Sequence, residues 1–250
     1  MAEPQTIFLL GASGYLGGEF LLLLARDFPQ HPINALVRNP TPEKVSGLKE
    51  MHPNISIVEG NLEDDAIIQE QVQKADIIIN TASSDHWPSV KSTLEGLEKN
   101  SASHPGKPPL YIHISGCGIL SDDARGELTE YVKEYTDTEL DLKDCPPTNT
   151  HLDSDIPIVE AGTRKENPVR TIIVFPAQAS LSLFICVQKT TLWLRFFMAF
   201  TKKLGFAGTW GRGYNSMNNI HVKDVASAIL AVLKGALVGN ADEGAQGLCM

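Results

Sequence analysis

A glycine-rich turn near the N-terminus is the segment whose residue types and spacing point most directly to chemistry. Gly11, Gly14 and Gly17 follow an apolar run, Thr6–Leu10, and precede a helical pattern. In a strand–turn–helix unit the first glycine permits a tight turn, the second lets the backbone approach a pyrophosphate, and the third lets the helix pack on the strand. The pattern predicts a site for a nicotinamide dinucleotide, NAD or NADP, formed by Gly11, Ser13, Gly14, Tyr15, Leu16 and Gly17. The alternative is a helix start that merely uses glycine.

Arg38 follows the second apolar run, Ile33–Val37. Enzymes that use NAD usually present an acid here to the ribose 2′-hydroxyl, whereas a guanidinium suits a 2′-phosphate. We therefore expect NADP to be preferred, with NAD as the second option. A solvated surface arginine is the other interpretation.

The elements that must position these residues alternate in βαβ order. The predicted strands are Thr6–Leu10, Ile33–Val37, Ile55–Val58, Ala75–Asn80, Leu110–Ser115 and Val169–Phe175, and the predicted helices are Tyr15–Arg26, Pro42–Lys49, Asp64–Lys74, Pro88–Glu98 and Val222–Leu237. Continuous apolar strands such as Ile77–Ile79 are typical of parallel sheets covered on both faces. The fold class is therefore α/β, a doubly wound parallel sheet of Rossmann type.

The composition and the spacing of charged, cysteine and histidine residues argue against several classes of function. The 250 residues carry a formal net charge of -9 and 42% apolar residues, without a Lys/Arg cluster that could follow a nucleic-acid backbone. The four cysteines have no CxxC spacing and the histidines no HxxxH or HxH spacing, so neither a metal site nor a disulfide framework is expected. The N-terminus lacks the features of a signal peptide, and we expect a cytoplasmic protein.

One segment, Leu181–Phe200, is apolar enough to need a membrane check. It contains Gln188, Lys189 and Arg195. Charges near the centre of a spanning helix are costly, so a buried helix or a helix of a substrate lobe is expected instead, and no membrane partner.

Several further motifs resemble the short-chain dehydrogenase/reductase superfamily, in particular its extended and atypical branches, which are epimerase/dehydratase-like or NmrA-like. The glycine spacing Gly-x-x-Gly-x-x-Gly is similar to theirs, and four later segments match in order: Asn61–Asp64, Asn80–Ser83, Ile112–Gly116 and Asn219–Ala226. The resemblance implies that Asn61 and Leu62 lie at the adenine ring and Thr81 and Ala82 beside the cofactor. Turn formation and strand-end capping are the alternative roles for Asn61 and Thr81.

The resemblance also implies catalytic residues, though not a complete set. Ser115 ends the fifth strand, where its hydroxyl could polarise a substrate carbonyl for hydride transfer, or simply bond to the backbone. The Tyr-x-x-x-Lys pair of the superfamily is missing, since Tyr135 occupies the lysine position after Tyr131, and Tyr131 is the weakest candidate for the catalytic acid. His151, with Asp153 or Asp155 nearby, is a candidate proton donor, and a surface helix start is its alternative.

The domain organisation expected from these motifs is one dinucleotide-binding domain over residues 1–250, with 177–215 and 238–250 forming a small substrate lobe. The acidic stretch 121–150 is expected to be an insertion over the ligand side. After Pro176 the expected glycine-containing loop is absent, and Gly244–Met250 ends where relatives would enter another strand, as in a truncated or mispredicted product.

Two functions follow from the sequence. One is an NADP-preferring oxidoreductase or epimerase-like enzyme acting on a small carbonyl or hydroxyl compound. The other is a non-catalytic, NmrA-like dinucleotide-binding redox sensor. The oligomeric state is left open, with a homodimer as one option.

Overall fold

A computed structural model describes residues 3–180 and 191–250. Within these ranges the strands are β1 (Ile7–Leu10), β2 (Ile33–Val37), β3 (Ile55–Glu59), β4 (Ile77–Asn80), β5 (Leu110–Ile114), β6 (Arg170–Val174), β7 (Gln178–Ser180), β8 (Asn219–His221) and β9 (Leu248–Cys249). The helices are α1 (Tyr15–Asp27), α2 (Pro42–Met51), α3 (Asp65–Lys74), α4 (Trp87–Ser103), α5 (Leu152–Thr163), α6 (Leu192–Leu204) and α7 (Val222–Leu237).

The main sheet has seven parallel strands in the spatial order β3-β2-β1-β4-β5-β6-β9. The chain builds outward from β1 to β3 and then returns to continue from β4 on the other side of β1. Such a reversal leaves a crevice at the carboxyl ends of β1 and β4, where ligands bind in open α/β sheets. The predicted doubly wound Rossmann-type sheet is confirmed.

Helices cover both faces of this sheet, which explains the apolar strands. Alternate residues of β1 enter two cores: Ile7 and Leu9 pack on the side of α1 and α7, while Phe8 and Leu10 pack on the side of α3 and α4. A strand that is buried on both faces needs apolar residues at every position rather than at every second one.

The largest difference from the predicted helix bounds is at α4, which continues to Ser103. The polar residues after Glu98 suggested a loop. They are helical because Asn100 is buried and its amide donates to the carbonyl oxygens of Val72 and Ala75, both at 2.8 Å, at the end of α3.

The C-terminal residues add a short strand to the main sheet. Leu248 and Cys249 form β9, which pairs in parallel with Ile173 and Val174 at the edge of this sheet. The division into one domain with a small lobe stays a prediction, although this part of 238–250 belongs to the main sheet.

The segment after β6 forms a second, two-stranded sheet from β7 and β8. The first ten residues of the apolar stretch 181–200 lie outside the described residues. The rest is helical in α6, whose Phe197 is 52% exposed, so this helix is not buried. Its alternative role, in a substrate lobe, stays a prediction. Among the described residues no helix is long and apolar enough to span a bilayer.

The acidic stretch 121–150 is partly anchored in the core. Leu140, Leu142 and Cys145 are buried in the same cluster as Leu152 at the start of α5. Its apolar residues therefore fix the loop that leads into α5, the helix that completes the candidate site.

Candidate functional site

The glycine turn lies at the carboxyl end of β1, beside the crevice. Gly11 has a φ of +91°, and the N–H of Gly14 donates to its carbonyl oxygen at 2.8 Å. A Cβ at Gly17 would lie 2.1 Å from that same oxygen, so only glycine lets α1 approach the strand this closely. Gly14, the N-cap residue of α1, has no side chain to bond to the helix N-terminus, and the first turn of α1 contains no acidic residue. The helix N-terminus therefore offers its positive end to an anion without a competing carboxylate of its own.

Thr81 fastens this turn to the neighbouring strand. Its hydroxyl donates to the carbonyl oxygen of Leu10 at 2.8 Å, and it lies against the Cβ positions of Gly11 and Gly17. Ala82 follows with its N–H bonded to the side chain of Asn80 at 3.0 Å. These contacts favour a structural role for Thr81, the alternative that the sequence left open.

Asn61 is likewise engaged in its own turn. Its backbone N–H and its amide both donate to Asp64 Oδ2 at 2.7 Å, and its Oδ1 accepts from Glu63 N at 2.8 Å. Leu62 packs half-buried against the core beneath. The turn at the end of β3 is thus rigid, and the contact of these residues with an adenine ring stays a prediction.

A second cation accompanies Arg38 at the end of β2. Lys44, in the first turn of α2, donates through Nζ to the carbonyl oxygens of Arg38 and Asn39 at 3.1 and 3.0 Å. The side chain of Lys44 thereby lies across the end of the strand from which Arg38 projects into solvent. The sequence gave no indication that the side chain of Lys44 lies beside Arg38. The contact forms only because the start of α2 folds back over the end of β2.

Ser115, the residue after β5, contacts a carboxyl group. Its hydroxyl lies 2.6 Å from Asp155 Oδ2, and both residues are buried. Asp155 belongs to α5, and its second oxygen, Oδ1, lies 3.6 Å from His113 Nε2. Burial raises the pKa of Asp155 to about 7, with the nearby Asp85 acting in the same direction.

His113 lies behind this pair within β5. Its Nδ1 is 2.9 Å from the hydroxyl of Tyr111 and 3.3 Å from Asn80 Nδ2. Burial lowers the pKa of His113 to about 3, so the ring is neutral. A four-residue polar network, Tyr111, His113, Asp155 and Ser115, thus runs from the core to the carboxyl edge of the sheet.

His151 lies immediately before α5 and is paired with Asp85, not with Asp153 or Asp155 as the sequence suggested. Nδ1 of His151 is 2.6 Å from Asp85 Oδ1 in the loop after β4. The partner was missed because Asp85 is 66 residues away and is brought close only by the adjacency of β4 and β5.

The ring of His151 lies against the turn that follows Ser115. Its Nε2 would be 3.1 and 3.3 Å from a Cβ at Gly116 and Gly118, so glycine at these positions makes room for the imidazole. His151 itself has a φ of +75°, an uncommon conformation for a residue with a side chain. The structure therefore brings Ser115 and His151, the two predicted catalytic residues, to the same edge of the sheet.

The weakest catalytic candidate is not supported. Tyr131 is 80% exposed in the 121–150 segment, without the burial expected of a catalytic acid. In the described residues no three His, Cys, Asp or Glu side chains are grouped as metal ligands.

Comparison with known proteins agrees with this geometry. Residues 3–93 match the model of the NmrA-like family. The oxidase ucsJ of Acremonium sp is 27% identical over 237 residues, covering 93% of this chain and 67% of that protein. This chain therefore spans about two thirds of the length of that relative.

Solved structures show the same fold. dTDP-glucose 4,6-dehydratase from Bacillus anthracis, in complex with NAD, has a TM-score of 0.64 at 17% identity and covers 92% of this chain and 71% of its own. A wide-type short-chain dehydrogenase/reductase from Veillonella parvula, in complex with NADP, has a TM-score of 0.52 at 13% identity and covers 94% and 89%.

The fold and the glycine turn define a Rossmann-type α/β protein. Within that class, residues 3–93 are similar to the NmrA-like family, and the solved neighbours share the fold. The resemblance inferred from the sequence is confirmed at this level.

Proposed function

We propose that the protein is an NADPH-preferring oxidoreductase that transfers a hydride between the nicotinamide and a carbonyl or alcohol carbon of a small molecule. The observation that carries the proposal is the glycine cradle of Gly11, Gly14 and Gly17 at the crevice, with Ser115 after β5 and His151 before α5 at the same edge of the sheet. A cytoplasmic location, and a homodimer as one option for assembly, are part of the same proposal.

The cofactor would be held by residues of the glycine turn and the start of α1, namely Gly11, Ser13, Gly14, Tyr15, Leu16 and Gly17. The close fit of Gly17 on Gly11 supports this, because it aims the helix N-terminus at the turn where a pyrophosphate binds in this fold. When bound, the nicotinamide would supply or accept the hydride.

The preference for a 2′-phosphate would rest on Arg38 and Lys44. Both positive charges lie at the end of β2, the position that reads the ribose 2′ substituent in Rossmann domains. A guanidinium and an ammonium together favour a dianionic phosphate over a hydroxyl.

The chemistry at the substrate would be divided between two side chains. Ser115 would donate a hydrogen bond to the carbonyl oxygen and polarise it. His151, oriented by Asp85 through Nδ1, would give its Nε2 proton to that oxygen as the hydride arrives. In this proposal Ser115 and His151 take the place of the Tyr-x-x-x-Lys pair that the resemblance implies and that the sequence lacks.

Calorimetric titration of the purified chain with NADPH and NADH tests the cofactor assignment. We expect NADPH to bind more tightly, and Arg38→Ala and Lys44→Ala each to weaken NADPH about tenfold or more while leaving NADH unchanged, since a charged hydrogen bond contributes about 1.5–3 kcal/mol. Lys49→Ala is the matched control, because Lys49 lies in the last turn of the same helix at the opposite edge of the sheet. Equal affinity for both nucleotides in all variants would refute the phosphate assignment.

Turnover of a panel of aldehydes and ketones with NADPH tests the reaction. Ser115→Ala and His151→Ala should each reduce kcat/KM by about 100-fold or more, while NADPH affinity stays the same. Turnover that is unchanged in both variants would remove these residues from the mechanism.

A second function, a non-catalytic redox sensor, is favoured by one observation: the family match covers residues 3–93, which include the glycine turn, while the Tyr-x-x-x-Lys pair is missing from the sequence. Tight, selective binding of NADPH without turnover of any carbonyl compound would decide for this alternative.

A further inference from the structure

We propose that Asp155 is a positioning residue whose acid form carries its proton on Oδ2 and thereby directs the hydroxyl proton of Ser115 toward a substrate oxygen. The inference rests on the proposed function for its catalytic consequence. Its structural part concerns a buried hydrogen-bond network in which the direction of each bond can be worked out.

The direction of the network is set at Asn80. Its Oδ1 accepts from Ala82 N at 3.0 Å and its Nδ2 donates to Ser83 O at 3.1 Å, so the orientation of the amide is fixed by the backbone. The same Nδ2 faces His113 Nδ1 at 3.3 Å. Since an amide nitrogen only donates, Nδ1 of the neutral imidazole is the acceptor and the ring proton is on Nε2.

The proton on His113 Nε2 determines which oxygen of Asp155 carries the carboxyl proton in the acid form. His113 Nε2 faces Asp155 Oδ1 at 3.6 Å, and neither atom has a hydrogen-bond partner among the described residues. An N–H pointing at Oδ1 favours a lone pair there rather than a second proton. The acid form of Asp155 therefore carries its proton on Oδ2, the oxygen that lies 2.6 Å from Ser115 Oγ.

The protonation state of Asp155 in turn decides what Ser115 can do. A serine hydroxyl has a single proton. When Asp155 is ionised, the hydroxyl of Ser115 donates its proton to the carboxylate in a hydrogen bond. That proton is then not available to a substrate oxygen. When Asp155 is protonated, Oδ2 donates to Ser115 Oγ, and the hydroxyl proton is free to polarise a carbonyl.

The groups around Asp155 favour the acid form at neutral pH. Its neighbours are neutral or negative at this pH: His113 and Tyr111 from β5, Asp85 from the loop after β4, and Cys145 from the segment before α5. The carboxyl is fully buried, and the imidazole of His151 bonds to Asp85 rather than to Asp155. Burial, the largest influence, and Asp85 raise the pKa of Asp155 to about 7 from its ordinary 3.8, against the opposing effect of the hydrogen bond from Ser115.

The pH dependence of the melting temperature tests whether Asp155 holds this proton, and the measurement requires no substrate. Because the pKa of Asp155 is raised in the folded state, the proton stabilises the fold fully below about pH 4, and this stabilisation is lost as pH rises toward about 7. We therefore expect the melting temperature of the wild type to fall relative to that of Asp155→Asn between these values, since the amide keeps an N–H for Ser115 and does not titrate.

Asp153→Asn is the matched control, because Asp153 is exposed in the same helical turn. It should keep the pH dependence of the wild type. A constant difference between the melting temperatures of the wild type and Asp155→Asn over this pH range would overturn the proposal.

The pH profile of kcat/KM with NADPH and the aldehyde and ketone panel tests the catalytic consequence. The wild type should lose activity about tenfold per pH unit above about 7, whereas Asp155→Asn should retain activity and lack this alkaline fall. Asp155→Leu, which neither donates to Ser115 nor draws its proton, should lose part of the activity because Ser115 is no longer oriented, and should also lack the alkaline fall.

A folded Asp155→Asn that is as inactive as Ser115→Ala at every pH would also overturn the proposal. If the wild type turns over no carbonyl compound, the proposed function fails, and the melting profiles still decide whether Asp155 holds the proton.

Discussion

Gly17 illustrates how a single residue determines the geometry of the candidate cofactor site. Its missing side chain leaves room for the carbonyl oxygen of Gly11 and the hydroxyl of Thr81, which a Cβ would approach to 2.1 and 2.7 Å. The three groups bring β1, α1 and β4 together at one point. Neither the backbone carbonyl nor the buried strand can move far, so a methyl group at this position would displace the helix.

Gly17→Ala is therefore expected to lower the free energy of unfolding by about 2–3 kcal/mol or more, from overpacking, and to weaken NADPH binding. Chemical denaturation and calorimetry measure the two effects. Gly47→Ala is the control, because Gly47 lies within α2 with open space around its Cβ position. That change should be neutral or stabilise by up to about 1 kcal/mol. Equal effects of the two substitutions would contradict the packing argument.

At the scale of elements, the contact between α5 and β6 sets the position of Asp155. Gly162 of α5 lies so close to β6 that a Cβ there would meet Thr171 Oγ1 at 2.0 Å. Thr171 is buried, and its hydroxyl has no hydrogen-bond partner among the described residues. A buried hydroxyl without a partner costs free energy that a methyl group of the same shape does not.

Thr171→Val is accordingly expected to raise the free energy of unfolding by about 1 kcal/mol. Thr93→Val is the matched control, because Thr93 is also buried but its hydroxyl donates to Ser89 O at 2.8 Å. Loss of this hydrogen bond should lower the free energy of unfolding by about 1 kcal/mol. Urea unfolding of both variants measures the difference. Destabilisation of similar size in both would indicate a partner for Thr171 in solution.

At the scale of the whole molecule, Arg170 connects the last segment of the chain to the sheet. Its guanidinium makes a two-pronged ion pair with Glu243, 2.6 Å at the shortest, and also donates to Ala236 O at 2.5 Å. Both side chains are partly buried. This pair holds the end of α7 and the segment leading to β9 against β6.

Arg170→Ala should therefore lower the free energy of unfolding by about 2 kcal/mol and speed amide exchange at Leu248 and Cys249. Arg125→Ala removes an exposed pair with Asp123 and should leave the free energy of unfolding nearly unchanged, because solvent screens this pair. Hydrogen exchange with mass spectrometry compares the two. Unchanged exchange at β9 in Arg170→Ala would show that strand pairing alone holds the segment.

The sequence determined the order of the elements and the position of the cofactor turn. Both follow from local patterns: apolar runs of four or five residues predict strands buried on two faces, and three glycines between a strand and a helix predict a turn with little freedom. The predicted bounds of α7, Val222–Leu237, also agree with the structure, because the apolar spacing of this helix is likewise a local pattern.

Tertiary structure alone decided the partners at the site. Asp85 meets His151 because the neighbouring parallel strands β4 and β5 end at one edge of the sheet, irrespective of their separation in sequence. Lys44 contacts the carbonyl oxygen of Arg38 because the start of α2 folds back over the end of β2. Asp155, which the sequence assigned to His151, turns instead toward Ser115 and His113, since the face of α5 on which it lies packs against the sheet. Hydrogen-bond direction and pKa depend on burial and on such long-range contacts, so no local pattern encodes them.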